Sequence, residues 1–585
     1  VMLVRALVDA GRAREALDAA IAPAGHSPAE LALWHARAEA ADAAGEAAVA
    51  AVAWGQLCAA RPGDWRAWSN YGQALALNAQ WREAVEALQR GLDLNPSETP
   101  LRRNLASALA HTGRHAESLT QFEQLAAEQP DDAAVHLTLS RLLADLGRNE
   151  ESIAALDRAA ELAVGSTSGA AGVRLIDVAL RSSTASAGDA AAVDSVREMS
   201  LLLERTNRID ALRTLLDEAE QAGIAREQLG YAAAAVALRD RDPAAAKRLL
   251  GVGQPGTDAM RWHRLMAKIE DALGNPAAAF AEAEAMNRAP DDHAGWRARG
   301  ADYRRRLRRL AALATPAWGA ALPTAVPDGR RSPAFLVGFP RSGTTLLDTF
   351  LMGHPDVAVL EEVHLLGEAE KIIGPVLDLA RRSPDDLAAA RRAYFAELDR
   401  HVASDFTGLV IDKMPLNMLG LPLIYSLFPD ARIIFAQRHP ADAVLSGFMQ
   451  SFVLNDAMAS FLEISDAADL YDAAMSAFTR GREAVPLAVH TVVYEELVSD
   501  PEAAVRQLAA FLGLEWRGEM LDHQATAKGR GAIITPSYDQ VVQPLSKAPS
   551  GRWRRYAEQL TLVLPVLLPW AERLGYPNEL VEFPN

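Results

Sequence analysis

Ala334-Phe-Leu-Val-Gly-Phe-Pro-Arg-Ser-Gly-Thr-Thr-Leu-Leu-Asp348 is an apolar run, a break, and the start of a helical pattern. Phe335 to Phe339 predicts a buried strand, Pro340 ends it, and helical periodicity begins near Thr344. Gly338 and Gly343 let the backbone turn tightly with its N–H groups facing inward. Arg341, Ser342, Thr344 and Thr345 add side-chain donors at a helix N-terminus. Amides and the positive end of a helix dipole then converge on one spot, which is an anion cradle.

The spacing Gly338-x4-Gly343-Thr344-Thr345 almost matches the nucleotide-triphosphatase P-loop, Gly-x4-Gly-Lys-[Ser/Thr]. Thr344 stands where the P-loop lysine belongs, and a cation, Arg341, sits three residues earlier. Such a loop can hold a phosphate-like group but lacks the point charge that clamps a β/γ-phosphate beside Mg²⁺. The competing reading is an ordinary strand–helix turn rich in Gly and Thr.

Downstream, short apolar strands alternate with helices, which predicts a parallel sheet. Candidate strands are Phe335–Phe339, Leu409–Asp412, Arg432–Gln437 and His490–Val493. Ligands bind such sheets at the carboxyl ends of the strands, and polar clusters follow each one. Lys413 lies directly after a strand. Arg438 ends another, with Ser446 eight residues on, about two helical turns later. Tyr494 and Glu495 follow the last. Arg438 and Ser446 can grip a second phosphate, away from the cradle, so a ligand phosphorylated at two positions is expected. Each assignment has a plainer rival: a surface arginine, an exposed helix serine, a core tyrosine.

The N-terminal half is a repeat array. Pro28, Pro62, Pro96 and Pro130 fall 34 residues apart, as do Gly11, Gly45, Ala79, Gly113 and Gly147. That period, with a small residue between two amphipathic helices, is the tetratricopeptide signature. Residues 1–164 are read as these repeats, 165–313 as degenerate helical repeats, 314–333 as a Pro/Gly-rich linker, and 334–585 as the sheet domain. The fold class is therefore multidomain: an all-α solenoid followed by an α/β P-loop-like domain. Solenoids of stacked helix pairs present a concave face, which suits a peptide or protein partner. A scaffold that stabilises or dimerises the second half is the alternative.

Composition narrows the options. With 585 residues and 50% hydrophobic content the chain buries large cores, and a net charge of −17 disfavours nucleic acid as a partner. The single cysteine, Cys58, sits in an apolar helical pattern and reads as packing. No apolar run reaches the length of a membrane span, and no signal peptide is evident, so a cytoplasmic protein is expected. Only six of the basic residues are Lys, which makes Lys413 and Lys547 conspicuous.

Together these residues resemble the sulfotransferases that use 3′-phosphoadenosine 5′-phosphosulfate. Pro340-Arg-Ser-Gly-Thr-Thr345 looks like their 5′-phosphosulfate loop, and Arg438 with Ser446 like their 3′-phosphate grip. The resemblance covers roughly Ser332 to the C-terminus. Within that superfamily the pattern is most similar to the tyrosylprotein sulfotransferases. Their His-Pro-x-Val run leading to paired glutamates matches His354-Pro355 to Glu361-Glu362. The resemblance implies that Glu362 is the catalytic base, with Arg341 and Lys413 opposing charge on the leaving phosphate. It also implies that Ser537 supports transfer and that Tyr494 and Lys547 contact the donor. The product would be 3′-phosphoadenosine 5′-phosphate, and no metal is expected.

The chemistry suits these residue types independently. Sulfuryl transfer needs a base for the acceptor hydroxyl and cations where charge builds on the bridging oxygen. Glu361 and Glu362 also precede a helical stretch, where acids favour the helix dipole without doing chemistry. The chain departs from the family after Glu362: Val363-His-Leu-Leu-Gly-Glu-Ala-Glu-Lys371 holds no arginine to receive an acidic peptide. An acidic tyrosine peptide is thus not favoured; another polypeptide recruited by the repeats is, and a small phenol, sugar or lipid headgroup stays open. The expectation is a bacterial enzyme sulfating a hydroxyl, with a peptide tyrosine among the candidate acceptors. The rivals are a P-loop kinase-like enzyme and a non-catalytic nucleotide-binding repeat adaptor.

Overall fold

The computed structural model describes residues 1–146, 148, 151–152, 154–156, 158–159, 162, 190–205, 208–251, 259–326, 328–529, 545 and 550–577. The chain forms two compact units, Val1–Ala232 and Ala233–Asn585. No helix among the described residues is long and apolar enough to cross a membrane.

The first unit is built of helix pairs, among them Pro28–Ala43 with Ala47–Ala60, Trp65–Leu77 with Trp81–Leu94, and Thr99–His111 with His115–Glu128. The 34-residue period is visible in its backbone. Gly11, Gly45 and Gly113 turn between helices at φ of 71°, 70° and 75°, and Ala79 takes the same left-handed turn at φ 57°. A β-carbon is disfavoured there, so Ala79 costs about 1 kcal/mol that glycine would not. Gly147 lies outside the described residues. The prolines mark a second conserved geometry: Trp68 Nε1 donates to Pro62 O at 3.0 Å, Arg102 Nη2 donates to Pro96 O at 2.5 Å, and His136 Nε2 lies 3.0 Å from Pro130 O. Three different side chains at one repeat position seek the same carbonyl. Between paired helices, a β-carbon on Gly72 would collide with the Leu88 side chain, so close packing depends on that glycine. Cys58 is buried, and burial pushes its thiol up to about 12, which leaves it inert.

The second unit holds a five-stranded, all-parallel sheet of β1 (Ala334–Gly338), β2 (Val357–Glu361), β3 (Leu409–Lys413), β4 (Arg432–Gln437) and β5 (Ala488–Val493), in the order β2-β3-β1-β4-β5. Alternation along each strand feeds two cores. Phe335, Val337, Ile433 and Phe435 enter one, and Ala334, Leu336, Ile434 and Ala436 the other. Both faces are covered by helices, as parallel sheets require. Sequence reading did not find β2. Its signal, Val357-Ala-Val-Leu360, is four residues long and sits behind a His-Pro turn.

The helices Ala259–Ala272, Pro276–Arg288 and His293–Leu313, read from the sequence as continued repeats, pack inside this second unit. Helix His293–Leu313 lies along Ile464–Ala484. Arg304 reaches Asp466 at 2.9 Å and Asp469 at 2.8 Å, and Arg297 reaches Asp466 at 2.9 Å. The stretch read as a linker is a packed strap. It contains the helix Pro316–Ala320, buries Ala314, Leu322 and Ala325, and bonds Ala325 N to Ser426 O at 2.7 Å. Its Pro and Gly content serves tight passage over a surface as well as looseness, so composition alone could not separate the two.

Candidate active site

At the carboxyl edge of the sheet, β1 leads through Phe339-Pro340 into the turn Arg341-Ser342-Gly343 and the helix Thr344–Met352. Arg341 and Gly343 both adopt left-handed backbone, at φ 71° and 93°. Gly343 is doubly constrained, because a β-carbon there would lie 2.5 Å from the Tyr494 ring. One from Gly338 would lie 2.6 Å from Ala436 O. Ser342, Thr344 and Thr345 are buried in this turn. The amides of Leu346 and Leu347 both bond to Gly343 O at 3.1 Å, so the helix opens at Gly343 and the cradle has the form of a helix N-terminus.

The neighbouring strand β4 supplies the second cation. Arg438 Nη1 donates to Arg341 O at 2.9 Å, and its guanidinium carbon lies 4.8 Å from the Tyr494 ring centroid. Arg341 Nε donates to Ser446 Oγ at 3.2 Å. Arg341, Arg438, Ser446 and Tyr494, about 150 residues apart at the extremes of the sequence, therefore form one contiguous group. The turn that bears Arg438 is braced from the C-terminal segment. Asp442 accepts the amides of Gly551 at 2.6 Å and Trp553 at 2.8 Å, His439 stacks on Trp553 at 5.0 Å, and Glu495 accepts His439 N–H at 3.1 Å and Tyr576 O–H at 2.9 Å. These braces were not evident in sequence, where the partners lie about 100 residues away.

On the other side of β1, β2 and β3 end together with Glu361 in register with Lys413. Lys413 is fully buried. Its ammonium donates to Glu361 Oε1 and Glu362 Oε1, each at 3.0 Å, and lies 3.5 Å from Asp348 Oδ2. Burial pulls its pKa down, but attraction by Asp348, Glu361 and Glu362 outweighs that, and the net direction is up. Glu362 leaves the strand at φ 55°, with its amide bonded to Lys413 O at 2.8 Å, and its side chain is 41% exposed. Asp348 has no exposed side-chain surface and Glu361 has 12%.

Adjacent Asp412 points to the opposite face. There it accepts Tyr394 O–H at 2.9 Å and Asn417 Nδ2–H at 3.3 Å. Burial raises its pKa to about 7, partly offset by the tyrosine bond. His354 orders its own turn: its Nδ1 accepts Asp356 N–H at 3.1 Å and its Nε2 lies 3.0 Å from Glu515 O. Ser537 and Lys547 lie outside the described residues. Sequence reasoning missed Asp348, whose place one helical turn beyond Thr344 aims it back at the strand ends.

Residues 333–518 match the model of the Sulfotransferase family, and residues 109–173 match a Tetratricopeptide repeat model. The chain thus carries a sulfotransferase-family domain and tetratricopeptide repeats. It is similar to Protein-tyrosine sulfotransferase 1 of Danio rerio, with 28% identity over 263 residues, 41% of this chain and 71% of that protein. An uncharacterized protein of Aquifex aeolicus is 24% identical over 259 residues, 42% of this chain, and the match spans 34% of that protein's length. Among solved structures, the Sulfotransferase Domain from the Synechococcus PCC 7002 Olefin Synthase aligns over 43% of this chain and 98% of its own, at 24% identity and a TM-score of 0.31.

Proposed function

We propose that the second unit transfers a sulfuryl group from 3′-phosphoadenosine 5′-phosphosulfate to a hydroxyl acceptor, and that the repeats bring a polypeptide acceptor. A tyrosine hydroxyl is the acceptor suggested by likeness to the zebrafish protein. The observation that carries the reading is the edge of the sheet itself. A buried lysine bonded to a half-exposed glutamate lies to one side of β1, and two arginines in contact follow β1 and its other neighbour, β4.

When bound, the donor supplies a sulfur–oxygen bond that breaks to its 5′-phosphate as one forms to the acceptor oxygen. Glu362 takes the acceptor's proton, and its exposure lets a hydroxyl approach it. Lys413 and Arg341 oppose the charge that grows on the departing oxygen. Ser342, Gly343, Thr344 and Thr345 hold the 5′ end. Arg438, Ser446 and Tyr494 hold the 3′-phosphate, with Lys547 assigned to the donor and Ser537 to transfer by family likeness alone. Glycine at 343 is what lets the Tyr494 ring close against the cradle, since a β-carbon there would run into that ring.

Incubation with ³⁵S-labelled donor and a lysate, followed by identification of the labelled molecule, tests this reading. Label on a hydroxyl-bearing polypeptide is expected, unchanged by a chelator. Transfer of phosphate from ATP with a Mg²⁺ requirement would replace this reading with a kinase. Donor binding without label on any molecule would replace it with an adaptor.

A further inference from the structure

Once Glu362 takes an acceptor's proton its carboxylate is neutral, and Lys413, bonded to its Oε1 at 3.0 Å, loses one of its counter-charges. Lys413 has no exposed side-chain surface, and a buried ammonium deprived of anions gives up its proton. Two further carboxylates stand in place. Glu361 is fixed opposite Lys413 in the β2–β3 register and touches it at 3.0 Å. Asp348, on the helix after the cradle, lies 3.5 Å away with no solvent exposure. Glu362 differs from both: it sits beyond the strand on left-handed backbone, 41% exposed. From β1, packed alongside, the residue in register with Lys413 is Leu336, which carries no charge. On its own strand, Asp412 faces away toward Tyr394 and Asn417.

We propose that Asp348 and Glu361 are positioning residues that keep Lys413 protonated and aimed while Glu362 turns to the acceptor. The proposal rests on the roles given above to Glu362 and Lys413. It divides three similar carboxylates by exposure: two hold the charge, and one works.

Only six lysines occur in the chain, so a ¹³Cε-lysine spectrum is simple, and Lys413→Met assigns the signal. Asp348→Asn combined with Glu361→Gln is expected to bring the Lys413 titration to lower pH than in the wild type, whereas Glu362→Gln alone leaves Lys413 charged well into the alkaline range. In turnover, the double variant should lose at least about tenfold more rate at alkaline than at neutral pH, a change that mere loosening of the fold would not confine to one limb. Should the pair not fold, each single substitution is read the same way. An unmoved Lys413 titration in these variants, or one moved equally by Glu362→Gln, overturns the proposal. A titration that moves as expected in a protein that transfers no label upholds the charge-holding role and removes the proposed reaction instead.

Discussion

The two ends of the site handle charge in opposite ways. Around Lys413 the chain supplies its own counter-ions, three carboxylates for one ammonium, before any ligand arrives. At the other end two guanidinium groups lie together: Arg438 donates to Arg341 O and Arg341 to Ser446 Oγ, and the Asp442 carboxylate also acts on Arg438. Two guanidinium groups beside a helix N-terminus concentrate positive charge for an anion, whereas an ammonium among three carboxylates sits in surplus negative charge. On the proposed reading, anion binding belongs to the arginine end and proton handling to the lysine end, where Lys413 also opposes charge on the departing oxygen.

Lys413→Met breaks the contrast most severely, because it leaves Asp348, Glu361 and Glu362 crowded together without a cation. Transfer should fall by about 10³, and urea unfolding should show a loss of about 3 kcal/mol or more. The support behind the lysine is tested next by Asp412→Asn. Burial raises the Asp412 carboxyl to about 7 in the folded wild type, while the unfolded chain releases that proton near 3.8. Folded protein therefore binds more protons across that window, so stability falls as pH rises through it, by roughly 4 kcal/mol. Unfolding midpoints measured from acid to neutral pH should show that slope in the wild type and not in the variant.

Glu362→Gln sharpens the division of labour. Turnover should drop by about 10² to 10³ with affinity for 3′-phosphoadenosine 5′-phosphate unchanged by calorimetry. Arg438→Met acts at the other end and should weaken that affinity by about 10- to 100-fold, the worth of charge-assisted hydrogen bonds to a phosphate. Ser446→Ala should do the same more mildly, about fivefold, through one neutral hydroxyl.

Much of this site was legible because each element announces itself locally. A strand ending in Gly, Pro or a charged residue places that residue at the sheet edge: Lys413 ends β3, and Arg438 and Tyr494 directly follow β4 and β5. The turn 338–345 carries its chemistry within eight residues. What stayed hidden depends on partners far along the chain. Asp348 reads as an ordinary helix residue until β3 brings Lys413 beside it. Helix His293–Leu313 reads as part of the degenerate repeats until Asp466 and Asp469 meet its Arg304 from about 160 residues away. The same composition describes a repeat helix and a helix docked by ion pairs, and only packing decides between them. The repeat array shows the reverse case: its period was fully written in Gly, Pro and Ala, since left-handed turns and close helix contacts demand particular small residues.

The division between an anion-binding end and a proton-handling end is tested most directly by calorimetric titration of 3′-phosphoadenosine 5′-phosphate into three proteins: wild type, Glu362→Gln and Arg438→Met. Equal affinity for the first two and clearly weaker binding by the third is the predicted result. No binding to the wild type, or a loss in Glu362→Gln as large as that in Arg438→Met, would contradict it.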